Sequence, residues 1–287
     1  MRAGESRVRD AAGTQRAREL LANLTMREVK GRYKRTALGN IWSLINPIAT
    51  MVVYSVVFGV FMRVQIEPSR TGLHVFALWL MCALVPWTFF SGALMTGLNS
   101  IVANANLVKK VFFPREVLVA SSVFALDVTT AIELGVLVVA LTIFGQMVVP
   151  WLPMVVVLLV LLTAMALGFA LMLAVANVYF RDTEHFTAIV LQIWMYATPI
   201  IYPLSYVVAA QDRLNAWLAQ WDLSFPLVSL WELNPMLHFT RAFRSVLYEE
   251  TWPSAVDMLW CAGSAGVVLL AGWWVFRRFE PRMAEEL

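Results

Sequence analysis

The chain has 287 residues, of which 60% are hydrophobic and 14% are charged, and its formal net charge is +3. Because a soluble domain carries about 25% charged residues, this composition excludes a water-soluble globule with an ordinary polar surface. The expected fold class is an all-α protein that crosses a membrane several times.

Residues 1–40 form a basic segment in which ten Lys or Arg residues outnumber four acidic ones. The segment has no apolar run of about 7–15 residues, so we do not expect a secretory signal peptide. Leu20, Leu21 and Leu24 recur at helical spacing, and residues 25–28, Thr-Met-Arg-Glu, fit a capping box. This pattern predicts one or two amphipathic helices along the membrane surface.

Six apolar stretches after this segment are long enough to cross a hydrocarbon core of about 30 Å. Residues 204–252 alternate Trp with charged residues and contain Phe225-Pro226 and Asn234-Pro235, which predicts re-entrant or interfacial helices between spans five and six. The transmembrane domain covers residues 41–276 and precedes a tail of residues 277–287. Its spans are residues 41–62, 73–98, 117–144, 151–176, 186–202 and 254–276.

The distribution of Lys and Arg predicts the orientation. With six spans, both termini lie on one side, which receives seventeen of the 22 basic residues: ten before residue 41, three at 109–115, one at 181 and three in the tail. Under the positive-inside rule, both termini and the basic segment are cytoplasmic.

Two carboxylates, Asp127 and Glu133, lie inside the third predicted span, where a charge exposed to lipid costs a few kcal/mol. They are six positions apart, which places them about 120° apart around a helix. One partner therefore does not serve both. A proton or ion relay and a buried hydrogen bond between helices are both open interpretations.

A group of aromatic residues includes some that lie deeper than an interfacial aromatic belt would place them. Rings that line a conduit would suit a sugar chain, because the C–H faces of sugars stack on rings while the hydroxyls stay hydrated. Ordinary interfacial packing is the alternative. The candidate conduit residues are Phe89, Phe90, Trp194, Tyr196, Tyr202 and Tyr206.

Several enzyme and cofactor signatures are missing from the sequence. Cys82 and Cys261 lie in apolar runs, and the three histidines are far from any cluster with ligand spacing, which indicates packing residues rather than a metal site. No Gly-x-x-x-x-Gly-Lys-Ser/Thr sequence occurs, so any hydrolysis of a nucleotide belongs to another subunit. Nucleophile-elbow and metalloprotease motifs are absent too, so we do not expect an enzyme.

Four segments together carry a resemblance to a known family. They are residues 27–34 with Leu38-Gly39 and Trp42, residues 107–116, residues 179–182, and Asn234-Pro235-Met236 leading to Phe243-Arg244. They resemble the permease subunits of bacterial type-2 ABC exporters of lipid-linked polysaccharides, such as O-antigen, teichoic acid, capsule or galactan precursors. The resemblance covers nearly the whole chain, although residues 211–228 form a longer stretch than usual.

The resemblance implies a homodimer in the bacterial inner membrane, joined to two copies of a separate ATPase that binds ATP and Mg. It implies no cofactor in this chain and no nucleic-acid partner; the other partners are membrane lipids and the lipid-linked polysaccharide. The coupling helix seated in the ATPase would consist of Asn104, Ala105, Asn106, Leu107, Val108, Lys109, Lys110, Val111, Phe112 and Phe113.

The resemblance also implies a role for the basic residues that lead into the first span. Beside a lateral opening they would meet a lipid diphosphate through charge-assisted hydrogen bonds. Simple attraction to anionic lipid explains the same charges. The residues are Arg27, Lys30, Arg32, Lys34 and Arg35.

Three other functions stay open. A type-2 exporter of drugs or small lipids would not need a conduit lined with rings. A membrane enzyme acting on polyprenyl-linked sugars should carry clustered acids in an aqueous loop, where only Glu249-Glu250 come close. A proton-driven carrier would use Asp127 and Glu133.

Overall fold

The computed structural model describes residues 19–31, 41–62, 64, 66, 69–110, 113–221 and 223–286. Within these ranges the regular structure is helical, which confirms the all-α prediction. Helix α1 covers residues 19–31, and α2, Trp42–Tyr54, continues as a π-helix, Ser55–Phe61. The other helices are α3 Phe76–Ala103, α4 Ala105–Lys110, α5 Glu116–Ile143, α6 Leu152–Tyr179, α7 Thr183–Ala197, α8 Ser205–Leu218, α9 Leu227–Glu232, α10 Pro235–Leu247, α11 Ala255–Phe279 and α12 Met283–Glu286.

Five helices among the described residues are long and apolar enough to cross a membrane: α2 with its π-helix, α3, α5, α6 and α11. The predicted span at residues 186–202 is helical only as α7, whose 15 residues rise about 22 Å, less than a hydrocarbon core of about 30 Å. The backbone becomes extended at Thr198 because Pro199 follows. The count of six spans therefore stays a prediction.

The N-terminal segment contributes one continuous helix to the described structure. Leu24 is buried, and Leu20 and Leu21 pack against the core of the bundle. Residues 25–28 lie in the middle of α1, so the prediction that a capping box starts a helix there is wrong. Residues 1–18 and 32–40 lie outside the described ranges.

Helix α3 is the central helix and packs against α5, α6 and α10. Pro86 within it is buried, so neighbouring helices surround the position where proline removes a backbone hydrogen bond. Helices α6 and α11 approach closely at two glycines. A Cβ at Gly168 would lie 2.4 Å from the carbonyl oxygen of Val268, and one at Gly272 would lie 2.1 Å from that of Gly168. Small residues allow this backbone contact.

The bundle has two different ends. At the α4 end lie α1, α4, the start of α5 and the last turn of α11, which Arg277 and Glu116 join across 3.7 Å. At the α10 end, α8 and α9 form a hairpin in which the side-chain oxygens of Asn215 and Gln211 accept hydrogen bonds from backbone N–H groups of residues 225 and 228. The amphipathic α10 is inserted between α3, α6 and α11, as expected for a re-entrant helix.

Candidate functional site

Helix α4 turns away from α3 at Asn104, whose side-chain nitrogen donates to the carbonyl oxygen of Ser100 over 2.8 Å. Val108 is buried against the core and anchors the short helix. Lys109 and Lys110 are exposed on its last turn. The described part of the predicted coupling segment is therefore a short helix with an exposed basic end, held to the bundle by one buried apolar side chain. Two of its members, residues 111 and 112, lie outside the described ranges.

Helix α1 is attached to the start of α4 by a hydrogen bond. Nη2 of Arg27 donates to Oδ1 of Asn104 over 3.0 Å, and the same atom forms an exposed ion pair with Glu28. Lys30 is exposed one turn further along α1. The structure thus brings together two predicted sites, the basic helix and the coupling segment. The other three predicted phosphate-contacting residues lie outside the described ranges: Arg32, Lys34 and Arg35.

An apolar groove with a cavity volume of about 410 Å³ lies between α1 and α5. The residues that border it on α1 include Met26 and Val29, which are next in sequence to Arg27 and Lys30. The groove thus has an apolar wall, and the two cations lie on the same helix but outside the lining of the groove. Its lining residues are Leu21, Ala22, Thr25, Met26, Val29, Phe124 and Val128.

A polar network joins α3, α6 and α7 at the α4 end of the bundle. The side-chain nitrogen of Asn99 donates to Glu184 over 3.0 Å, and that of Asn177 donates to Asn99 over 3.2 Å. At the same end, the guanidinium of Arg115 donates to the carbonyl oxygen of Glu280. The bonds of Asn99 therefore connect α3 to α6 and α7, five residues before α3 leads into α4 at Asn104.

At the α10 end, Asn234 fixes the beginning of α10 to the end of α7. Its Oδ1 caps α10 by accepting from the N–H of Met236 over 3.0 Å, and it also accepts from the indole N–H of Trp194 over 2.8 Å. Its Nδ2 donates to Oγ1 of Thr198 over 2.8 Å. The Asn-Pro-Met sequence is therefore a junction between two helices.

Arg244 makes a second connection from α10. Its Nη1 and Nη2 donate to the carbonyl oxygens of Pro199 and Ile200 over 2.8 and 2.6 Å, and its guanidinium lies 3.4 Å from the centre of the Trp79 ring. Burial lowers the pKa of Arg244 to about 9, so the group stays charged at neutral pH. Nearby, burial raises the pKa of Tyr248, whose hydroxyl donates to the carbonyl oxygen of Leu73 over 2.6 Å.

Comparison with known families identifies the family of the chain. Residues 19–248, which run from α1 to the residue after α10, match the profile of the family described as ABC-2 type transporter. The chain belongs to the ABC-2 type transporter family. It is therefore an integral inner-membrane subunit of an ABC transporter system with a separate ATPase, and a transport subunit rather than an enzyme. Both predictions from the sequence, the family and the absence of enzymatic activity, are confirmed.

Individual relatives match this ABC-2 transporter along nearly its whole length. It is 31% identical to a protein of Myxococcus xanthus named O-antigen export system permease protein RfbA, over 94% of this chain and 96% of the relative. A Klebsiella pneumoniae protein with the same name is 29% identical, over 94% and 95%. The Escherichia coli polysialic acid transport protein KpsM is 22% identical, over 91% and 93%.

The six candidate conduit residues of this ABC-2 transporter separate into two groups. Phe89 and Phe90 are buried, and the Phe90 ring lies 5.3 Å from that of Trp194 in a cluster that packs α3 against α6 and α7. These two rings present no face to a ligand within this chain, because packing covers them. Tyr196 and Tyr206 are exposed, and Tyr202 donates from its hydroxyl to the carbonyl oxygen of Tyr196 over 2.6 Å.

The two acids of the third span lie in different surroundings on α5. Oδ1 of Asp127 accepts a hydrogen bond from Oγ1 of Thr163 on α6 over 2.7 Å. This partly buried bond between α5 and α6 fits one of the two interpretations, a hydrogen bond between helices. Glu133 is partly buried, further towards the α10 end. The sequence did not single out Asn234 or Arg244 beyond their place in family-like segments, since their partners are distant in the chain.

Proposed function

We propose that this chain is the permease of an exporter that moves a lipid-linked polysaccharide from the cytoplasmic to the outer side of the bacterial inner membrane. A partner ATPase, with ATP and Mg, supplies the energy. Support comes from the O-antigen and polysialic acid transport proteins that align with nearly the whole chain. The proposed substrate carrier is a polyprenyl diphosphate.

The observation that carries the proposal is the projecting α4. Its two exposed cations lie next to the buried Val108, and a hydrogen bond from Arg27 joins α1 to Asn104, immediately before α4. A short helix of this kind is suited to insertion into a cleft of a soluble partner, and rigid ties would transmit the partner's closure. We therefore propose that the α4 end, with both termini, faces the cytoplasm, which the distribution of basic residues supports.

The groove between α1 and α5 supports the proposal that the substrate is linked to a lipid. A lipid chain would be accommodated by the apolar wall, while Arg27 and Lys30 on the same helix would bind the diphosphate by charge-assisted hydrogen bonds. The sequence continues with Arg32, Lys34 and Arg35, which would extend the cationic region. Replacing Arg32 and Lys34 by Gln should lower export, whereas full export by this variant would rule out the assignment.

We propose a homodimer with two ATPase copies. Residues 44–61 of the first span are almost entirely unburied within the chain, so this apolar helix has room for a second copy as well as lipid. Tyr196 and Tyr206, the exposed members of the aromatic set, are the rings that remain available to stack on sugar in a conduit between protomers.

The first test is co-purification of the partner ATPase from the native bacterium, with Lys109→Glu/Lys110→Glu compared against wild type. Arg278→Glu/Arg282→Glu is the matched control, because it reverses two exposed charges at the same end of the bundle. We expect the ATPase with wild type and control, and its loss with the α4 variant. Full recovery of the ATPase with the α4 variant would refute the coupling role of α4.

A second measurement tests the substrate. Depletion of the chain should cause a lipid-linked glycan to accumulate in cells and the corresponding surface glycan to disappear. If the ATPase co-purifies but neither glycan pool changes, an exporter of drugs or small lipids becomes the better interpretation. That alternative would also fit the burial of Phe89 and Phe90, since it needs no ring-lined path.

A further inference from the structure

A buried polar cluster lies where α9, α10 and α11 meet, apart from the ties described above. At its centre is His238 of α10, whose side chain is almost completely buried. Its Nδ1 lies 2.6 Å from Oδ1 of Asp257 at the start of α11, and its Nε2 lies 2.8 Å from the carbonyl oxygen of Glu232 at the end of α9. The sequence predicted an interfacial or packed histidine, and His238 is packed; its carboxylate partner, 19 positions away, was not predicted.

The two partners determine the charge of the imidazole ring. A carbonyl oxygen only accepts, so Nε2 must carry a proton. Oδ2 of Asp257 accepts from the hydroxyl of Ser254 over 2.6 Å, and Nη1 of Arg241 lies 3.8 Å from Oδ1. These donors favour the ionised carboxylate, so Nδ1 must donate as well. Only the imidazolium has two N–H donors.

The remaining neighbours also suit a cation. The His238 ring is stacked on the indole of Trp260, with ring centres 5.0 Å apart and planes within 5°. Arg241 pairs with the Glu232 carboxylate over 3.7 Å, so two cations and two anions balance in the cluster. Helices α3 and α6, which also pack against α10, carry no charged residue. The charged groups that face His238 thus come from α9, α10 and α11.

We propose that His238 is a proton-dependent latch that positions α10 against α11, a role that goes beyond the proposed transport function. Loss of one ring proton would leave a buried acceptor without a donor, either the carbonyl of Glu232 or the carboxylate of Asp257. Both hydrogen bonds of the tie therefore require the doubly protonated ring, and removal of either proton breaks one of them. Because α10 closes this end of the bundle, the latch makes that closure sensitive to pH.

The charge state can be measured directly in the purified complex with its ATPase, or in the chain alone in nanodiscs. The chain has three histidines, so ring nitrogen-15 spectra of histidine-labelled protein are simple, and His238→Gln identifies the signal of His238. We expect both ring nitrogens of His238 to be protonated at pH 7. A neutral tautomer at pH 7 in the folded protein would overturn the proposal.

The stability arm compares thermal unfolding at pH 6 and pH 9. For wild type and for the exposed control His74→Gln, we expect the midpoint to fall by about 3 °C or more between these values. In the Asp257→Asn variant, the amide can accept a hydrogen bond from a neutral imidazole ring or donate one to it. The unfolding midpoint of this variant should therefore not decrease between pH 6 and pH 9. An equal decrease in Asp257→Asn and wild type would overturn the latch. Neither measurement uses transport, so failure of the proposed function would not affect the outcome.

Discussion

Arg27 of α1 donates a hydrogen bond over 3.0 Å to Asn104, the residue at which α3 ends and α4 begins. The helix proposed to receive the lipid headgroup is thus directly connected to the helix proposed to contact the ATPase. Under these two proposals, the contact would link the arrival of substrate at α1 to movement of α4.

Asn104→Ala should weaken this link without changing the charge of α1. A hydrogen bond is worth about 1 kcal/mol, so we expect export per ATP hydrolysed to fall about fivefold while ATPase binding is retained. Coupled export and ATPase rates in proteoliposomes measure this. Glu28→Gln is the control, because it removes only an exposed ion pair. Unchanged coupling in Asn104→Ala would show that the contact is incidental.

Arg244→Lys should destabilise the α10 end although the charge is kept. An ammonium group cannot donate to the carbonyls of Pro199 and Ile200 in the same fork or stack on Trp79. We expect a loss of about 2 kcal/mol of unfolding free energy, measured by denaturant titration in detergent. The exposed Arg213→Lys on α8 serves as the control, and a wild-type value for both variants would contradict the assigned contacts.

Gly168→Ala should strongly reduce the yield of folded protein, because its Cβ would collide with the backbone of α11 at Val268. Overpacking of this kind costs about 1–3 kcal/mol. Gly266→Ala lies on α11 with no atom near the added carbon, so it should be neutral or slightly stabilising. Thermal unfolding of the two purified variants distinguishes them, and equal midpoints would argue against the close crossing.

Asp127→Asn separates the two interpretations of the intramembrane acid. If Asp127 only accepts a hydrogen bond from Thr163, the amide oxygen replaces the carboxylate and transport should remain within about twofold of wild type. Thr163→Val, which removes the donor, should lower stability by about 1 kcal/mol. Loss of transport in Asp127→Asn with normal ATPase activity and normal stability would instead support a proton relay.

Measuring both stability and transport distinguishes the buried aromatic residues from the exposed ones. Phe90→Ala should cost about 3–5 kcal/mol of folding free energy, because its ring is buried against Trp194 and Phe169. Tyr196→Ala should leave stability nearly unchanged and slow glycan export. Quantifying surface glycan alongside the melting midpoint tests both, and unchanged export in Tyr196→Ala would remove this ring from the conduit.

The sequence alone determined the properties that depend on solvent and on local pattern. Long apolar runs bounded by charges give the bounds of α3, α5, α6 and α11 to within a few residues, since burying backbone in lipid requires continuous helix. The family followed from four short segments taken together, such as Asn234-Pro235-Met236, because each is a local pattern that can be recognised without the fold.

Only the tertiary structure decided which distant side chains meet. The pairs Arg27 with Asn104 and His238 with Asp257 are separated by 77 and 19 positions, and no helical or strand period relates them. The same limit explains why Phe89 and Phe90 were predicted to line a conduit although they are buried. The position of a ring in the sequence predicts its depth in the membrane, but not whether it lies on the packed or the open side of its helix. The charge state and the exposure of a side chain depend on its neighbours in space, and these are determined by the tertiary fold.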